Sequence, residues 1–296
     1  MSFNRKCYVE FSVPQGSKNV FGVDVKYNAK RIEDVDIKFD IELPMSAMMV
    51  EANIAICNLT RSDIEFLTTF ASRMTALNQH KRIRVFAGYE DTQTNLIFDG
   101  EIFEAKPTQP PDIWLECKAL SGIYGSTVQI SKSVLNPIKI KDLYIAAAGW
   151  LGVELDWRAT SQKTVEKFDF TGSQTQLLAS LFKVADVIPF LEDGKLAAVD
   201  KDSAQMVESV KEISEDSGMI GIPKVDYIGA EIKMLLDTGL KRGDTVYLRS
   251  KRIPAASGYY RIYHMRHEGH LRGEEWYTTI KTWRLDTYGR QFAIIA

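Results

Sequence analysis

Val35-Asp36-Ile37-Lys38-Phe39-Asp40-Ile41-Glu42 alternates apolar and charged residues without a break. In an extended chain successive side chains point to opposite faces, so this octet reads as a strand with one face in a core and one in water. The pattern continues on both sides. Tyr8, Phe11 and Val13 come before it, then Phe21, Val23 and Val25 among polar neighbours, and residues 49–59 supply another strand after it. Further strands are expected at 81–89, 96–105 and 113–119, and Pro107, Pro110 and Pro111 mark a connecting loop. Strand after strand with short polar breaks predicts antiparallel β structure.

One interruption is helical. Thr60-Arg61-Ser62-Asp63 offers a capping hydroxyl with an acid three residues on, and Ile64, Leu67, Phe70, Ala71 and Met74 then fall on one helical face. A helix over 63–74 is expected, with Ile64, Leu67, Phe70 and Met74 on its apolar face.

The middle of the chain has a different character. Residues 138–151 form an alanine-rich helix candidate, with a strand expected at 153–157. Ser173-Gln174-Thr175-Gln176 carries the Ser-x-x-Gln capping pattern ahead of Leu177, Leu178, Leu181, Phe182 and Ala185 at helical spacing. Asp193-Gly194 between two apolar runs signals a tight hairpin, because both positions of such a turn need positive φ. The expected organisation is a β-barrel domain at 1–125 with one helix, an α+β domain at 126–205, and a second β-barrel domain at 206–296.

The two outer regions share a spacing. Ile54 and Ile56, Val85, Ile102 and Trp114 match Ile232 and Met234, Val246, Ile262 and Trp276 in order. From Val85 to Ile102 is 17 positions and from Val246 to Ile262 is 16; the next steps are 12 and 14. Such near-equality suggests one duplicated strand set, with the helix after residue 60 present only in the first copy.

Composition narrows the function. A formal net charge of -2, from 37 basic and 39 acidic residues, gives no long-range field to collect nucleic acid or an anionic membrane. Cys7, Cys57 and Cys117 are far apart and none belongs to a C-x-x-C pair, so reduced thiols in a cytoplasmic product are expected. The start lacks the apolar core of a signal peptide, and no run is long enough to suggest a membrane span.

Three patterns suggest chemistry, and each has a plainer explanation. Asp216-Ser217-Gly218 and Asp237-Thr238-Gly239 resemble aspartic-protease signatures, but 21 positions are too few to place them on separate lobes, so polar turns are expected. His264, His267 and His270 lie three apart on a strand-like stretch, where successive members face opposite ways and zinc spacing fails. Tyr259, Tyr260, Tyr263, Trp276, Tyr277 and Trp283, interleaved with Arg261, Arg266, Lys281 and Arg284, could bind single-stranded nucleic acid or sugar. Cross-strand packing with the charges outside is favoured. No phosphate loop, nucleophile elbow or paired Cys/His set is present, so no catalytic residue, cofactor or metal is assigned.

Several stretches resemble phage baseplate hub proteins of the late control protein D-like kind. In the last region these are Ser217-Gly218-Met219-Ile220-Gly221-Ile222-Pro223, Ile232-Lys233-Met234-Leu235-Leu236, Gly243-Asp244-Thr245-Val246, Gly258-Tyr259-Tyr260-Arg261-Ile262, His267-Glu268-Gly269 and Glu275-Trp276. In the first region they are Val85-Phe86-Ala87-Gly88-Tyr89 and Ile97-Phe98-Asp99-Gly100-Glu101-Ile102. The resemblance implies a structural homotrimer of two tube-like barrels per chain, which adapts a six-fold tail tube to a three-fold central spike and lets DNA pass as cargo. Its implied partners are the tail tube protein, the central spike protein and other baseplate proteins, within a virion assembled in the host cytoplasm. Ile64, Leu67, Phe70 and Met74 of the 63–74 helix are candidates for contact with a neighbouring subunit or the tube. Tail-tube or tail-tip protein is the nearest alternative, and a peptidoglycan-binding or peptidoglycan-hydrolysing tail protein a more distant one.

Overall fold

The computed structural model describes residues 4–12, 30–46, 49–68, 81–91, 94–121, 129–201 and 210–285. The first region holds β1 (Arg5–Ser12), β2 (Lys30–Ile32), β3 (Ile37–Pro44), β4 (Glu51–Cys57), α1 (Arg61–Leu67), β5 (Arg82–Tyr89), β6 (Asn95–Pro107) and β7 (Trp114–Leu120). The last holds β15 (Lys211–Ser214), β16 (Lys224–Val225), β17 (Gly229–Leu235), β18 (Thr245–Arg249), β19 (Gly258–His270) and β20 (Trp276–Arg284). The fold is mainly β, with an α+β insert between these two regions.

Strand order shows the duplication. The first region runs β3-β4-β7-β6-β5 and the last β16-β17-β20-β19-β18, every neighbouring pair antiparallel. The likeness extends to a defect. β6 slips against β7 between Ile102 and Glu104, and β19 slips against β20 between Ile262 and His264. A bulge inserts one extra residue and bends its strand, so two bulges in one topological place bend both sheets alike. The preceding backbone bonds also match: Ile102 N–H donates to Lys81 O at 2.8 Å, and Ile262 N–H to Asp244 O at 3.0 Å.

Register corrects two of the matches expected from spacing. Ile54 and Ile56 do correspond to Ile232 and Met234, because Ala52 opposite Ala119 matches Ala230 opposite Thr282. Val246, however, occupies the place of Ile83, and Trp276 that of Ile113, while Trp114 matches Tyr277. A one-residue slip moves a side chain to the other face of a sheet. Trp276 is accordingly 1% exposed and packs edge-on against Phe39 at 5.4 Å, whereas Ile113 is 41% exposed.

Alternation sets the cores. Ile37, Phe39 and Ile41 of the opening octet are buried, while Lys38 and Glu42 are exposed. Among the described residues the main cores lie within 7–119, 130–198 and 213–280, the first also taking in Leu236 and Trp276. A smaller cluster of Met45, Phe190, Ala197 and Val199 lies between the insert and the β units.

The insert contains β8 (Ile130–Val134), β9 (Ile138–Lys139), α2 (Ile140–Leu151), β10 (Glu154–Trp157), β11 (Thr164–Val165), β12 (Phe168–Gly172), α3 (Gln174–Ala185), β13 (Val187–Glu192) and β14 (Lys195–Asp200). The capping box is formed: Ser173 Oγ accepts from Gln176 N–H, and Gln176 Oε1 accepts from Ser173 N–H at 2.8 Å. Asp193 at φ 51° and Gly194 at φ 75° make the expected hairpin turn. The helix expected from 138 starts at Ile140 instead, because Ile138 and Lys139 pair with Val165 and Thr164.

The helix expected over 63–74 is shorter: α1 ends at Leu67, and Thr68 is already extended at φ -57° and ψ 131°. The Thr68 hydroxyl donates to Ile64 O at 2.6 Å, satisfying a last-turn carbonyl as the chain leaves the helix. The strand pattern around Phe21, Val23 and Val25, the positions Phe70 and Met74, and the insert boundaries expected at 126 and 205 lie outside the described residues.

Candidate assembly surface

The two β units are joined edge to edge. β3 pairs antiparallel with the second half of β19, from His264 opposite Pro44 to His270 opposite Lys38, so one hydrogen-bonded sheet crosses both units. Side chains fasten this seam. Arg266 donates to both carboxylate oxygens of Asp40 at 2.7 Å, a bidentate pair that raises the guanidinium pKa. His270 Nε2 lies 3.0 Å from Asp36 Oδ2, and Arg272 N–H donates to Asp36 Oδ1 at 3.2 Å. Arg5 reaches the β19–β20 turn, donating to His270 O at 3.1 Å, Gly273 O at 2.5 Å and Glu274 O at 3.1 Å. Gly269 lies flat on the Phe39 ring, and any β-carbon there would overlap it.

Away from the part covered by the insert, the side of this sheet opposite the cores is largely polar. Across β17, β20, β19, β3, β4, β7 and β6 the outward positions include Glu231, Glu268, Asp40, Glu42, Glu51, Glu116 and Glu104. Lys233, Lys281, Arg266, Lys38, Lys118 and Lys106 alternate with them. Opposite charges are neighbours: Arg266 contacts Asp40, Glu42 and Glu268, and Glu104 contacts Lys106 and Lys118. Burial, aided by the Lys281 charge, lowers the pKa of His264 on the same face, so it adds no positive charge at neutral pH. Neighbouring opposite charges of this kind largely cancel one another.

Arginines hold the insert to this frame. Arg242 is buried and donates to Pro44 O of the first unit at 2.8 Å, Leu191 O of the insert at 2.6 Å and Glu192 Oε1 at 3.2 Å. Its guanidinium also sits 4.5 Å from the Phe190 ring. Arg158 returns a bond to Arg242 O at 3.0 Å, and Arg261 donates to Asp200 O and Lys201 O at 2.5 and 3.2 Å. The expectation that Arg261 lies outside a barrel is therefore corrected: it is buried beneath the insert, satisfying carbonyls at the end of β14. Met45, Phe190, Ala197 and Val199, with Tyr263 and Trp283 stacked at 4.6 Å, complete the contact.

The remaining expected site residues fall elsewhere. Leu67 is fully buried in the first core and Ile64 packs partly against it. Asp216 pairs with Lys251 at 2.6 Å; Asp237 pairs with Lys211 and accepts the Gly239 N–H at 3.0 Å. Asp237 thus serves a turn, and Asp216 an exposed ion pair. His267 is buried with Nδ1 2.9 Å from Thr278 Oγ1, and burial lowers its pKa to about 4. Among the described residues no three metal-ligating side chains converge. A cavity of about 400 Å³ lies where the three cores meet, lined among others by Arg82, Gln174, Glu192, Arg242 and His267. Its arginines are matched by Asp99 and Glu192. The sequence carried no signal for Arg242, because its role depends on carbonyls far away in the chain.

A fold of this kind, with two β units joined into one sheet and a small α+β body between them, is shared with solved structures of phage tail proteins. A tail protein from Neisseria meningitidis MC58 superposes with a TM-score of 0.62 at 10% identity, over 95% of this chain and 98% of that one. The 43 kDa tail protein of prophage MuSo2 from Shewanella oneidensis gives 0.62 at 10% identity, over 93% and 96%. An E. coli type VI secretion component, described as structurally similar to the T4 tail proteins gp27 and gp5, gives 0.58 at 11% identity, over 88% and 77%. No curated protein sequence matches. The chain belongs to the baseplate hub gp41 family, whose sequence profile matches residues 18–282. It is a structural component of a phage tail baseplate.

Proposed function

We propose that three copies close into a hollow hub whose six β units meet a six-fold tail tube on one side and a three-fold central spike on the other. The observation that carries this reading is the five-strand order repeated within one chain and fused through β3 and β19. A three-fold object can offer six similar surfaces only if each chain carries the surface twice. On this reading the chain divides at 1–125, 126–205 and 206–296. The shared polar face turns to the lumen, where its interleaved charges neither grip nor repel passing DNA. The insert and the outward side of α1 receive the tube or other baseplate proteins. The role is mechanical, without turnover, and the ring is assembled in the host cytoplasm before it enters the virion. Light scattering of the purified protein tests this: a mass of three chains is expected, and a monomer at micromolar concentration would refute it. A mass of six chains would instead favour a tail-tube protein.

A further inference from the structure

The seam inside the chain is a template for a contact between chains. β16 holds the place in the second unit that β3 holds in the first. Lys224 and Val225 pair with Glu231 and Ala230 as Asp40 and Ile41 pair with Asn53 and Ala52. The outer edge of β3 is covered by β19, whereas β16 ends the sheet among the described residues. Beside that edge Ile222, Val225 and Tyr227 are 49%, 42% and 86% exposed. Proteins normally cover or charge such edges. The turn carrying Tyr227 is braced: Asp226 Oδ1 accepts from Ile228 and Gly229 N–H at 2.7 and 2.8 Å, and Asp226 N–H donates to Gly229 O at 3.0 Å. An aromatic ring presented by a rigid turn loses little entropy on docking.

The intrachain seam also shows what such an edge meets. Just past β3, Met45 donates its N–H to Tyr263 O at 2.8 Å and packs beside that residue, which is the bulged position of β19. The bulged residue of β6 is Phe103, and it is 43% exposed. Across the seam Glu42 approaches Arg266 to 4.0 Å, and the corresponding residues, Asp226 and Lys106, again carry opposite charges.

We propose that the β16–β17 hairpin of one copy docks on the β6 bulge of the next, with Asp226 facing Lys106 and Tyr227 opposite Ala105, two positions from the exposed Phe103. Each copy then offers two different surfaces, the head-to-tail arrangement that closes a ring. Three intrachain seams and three of these contacts alternate around it. The inference rests on the trimeric ring proposed above, and its test separates the two.

Tyr227→Cys and Phe103→Cys are made separately, dissociated, mixed in equal amounts, reassembled and treated with a short bismaleimide; the native thiols are buried. The mixture should give cross-linked pairs that neither variant gives alone, which excludes a link within one chain. A chain carrying both changes should give species up to three chains and none larger. Trimers that form by light scattering but do not cross-link would overturn the docking and leave the ring standing. Monomers of the unmodified chain would overturn the ring and this contact together. Tyr227→Asp should weaken trimerisation at least tenfold with an unchanged melting temperature in dilute, dissociated protein, and unweakened trimers would contradict the proposal.

Discussion

The two β units keep the same strand order and the same bulge, yet they differ wherever a third body touches them. At the bulge, Tyr263 of the second unit is covered by the insert and stacked on Trp283, while Phe103 of the first stands open. Beyond the shared strands, β1 runs antiparallel to β5, but β15 runs parallel to β18. Where the first unit has α1, the second has only a polar turn in which Asp237 accepts from Gly239 N–H and Asp244 from Lys241 N–H. Strand pairing and bulge geometry conserve the frame, because a slip inverts every face. Side chains outside that frame follow their local neighbours.

The sharpest contrast lies at the matched pair Trp276 and Ile113. Trp276→Ala should cost about 3–5 kcal/mol, the range for truncating a buried aromatic, because the second unit reaches through it into the first core. Ile113→Ala should stay within about 0.5 kcal/mol, as exposed sites do. Urea denaturation compares them directly, and equal losses would break the assigned register.

Arg242 comes next, as the residue holding the second unit to both other bodies. Arg242→Met should cost about 3 kcal/mol, since it strands the Pro44 and Leu191 carbonyls while Arg158 still pairs with Glu192. Early proteolytic release of the insert should accompany the loss. A variant that keeps the insert resistant would show that the apolar contact alone suffices.

Acid should act on the second unit through His267, for Pro107 occupies its place in the first. Its folded pKa, about 4, lies below the ordinary histidine value of about 6.5, so the unfolded chain binds the proton more readily. This histidine's contribution is present above about pH 6.5, declines as pH falls and levels off below about 4, a loss on the order of 3 kcal/mol. Denaturation series on the native chain and His267→Asn should show a flatter decline in the variant, and parallel curves would contradict the assignment.

The smallest expected effect is at the surface of the seam. Asp40→Asn removes the bidentate partner of Arg266 but leaves Glu268 at 3.3 Å, so a loss of about 0.5 kcal/mol, reduced further by salt, is expected. A loss of several kcal/mol would mean that the exposed charges, not the buried Trp276 and Gly269, hold the units together.

Much of this frame was legible in the sequence. Alternation in the opening octet, the Ser173 capping box and Asp193-Gly194 are local signals, and local geometry satisfied them. The duplication was visible as spacing, but its register was not. Two tryptophans of similar spacing were paired although one faces the core and the other does not, because spacing carries no information about which face is buried. The arginines clamping the insert were invisible for a related reason: their acceptors are main-chain carbonyls 50 or more positions away. The polar sheet face shared by the units was readable only strand by strand, since β3 meets β19 across more than 200 residues.

Averaged end-on electron micrographs of the assembled particle provide the most direct test. A ring with six peripheral lobes should appear, its lobes alternating in shape so that rotation by one third of a turn, and not one sixth, restores the image. Six identical lobes, or particles without a central opening, would contradict the claim that one chain carries the same β unit twice so that three copies can imitate six.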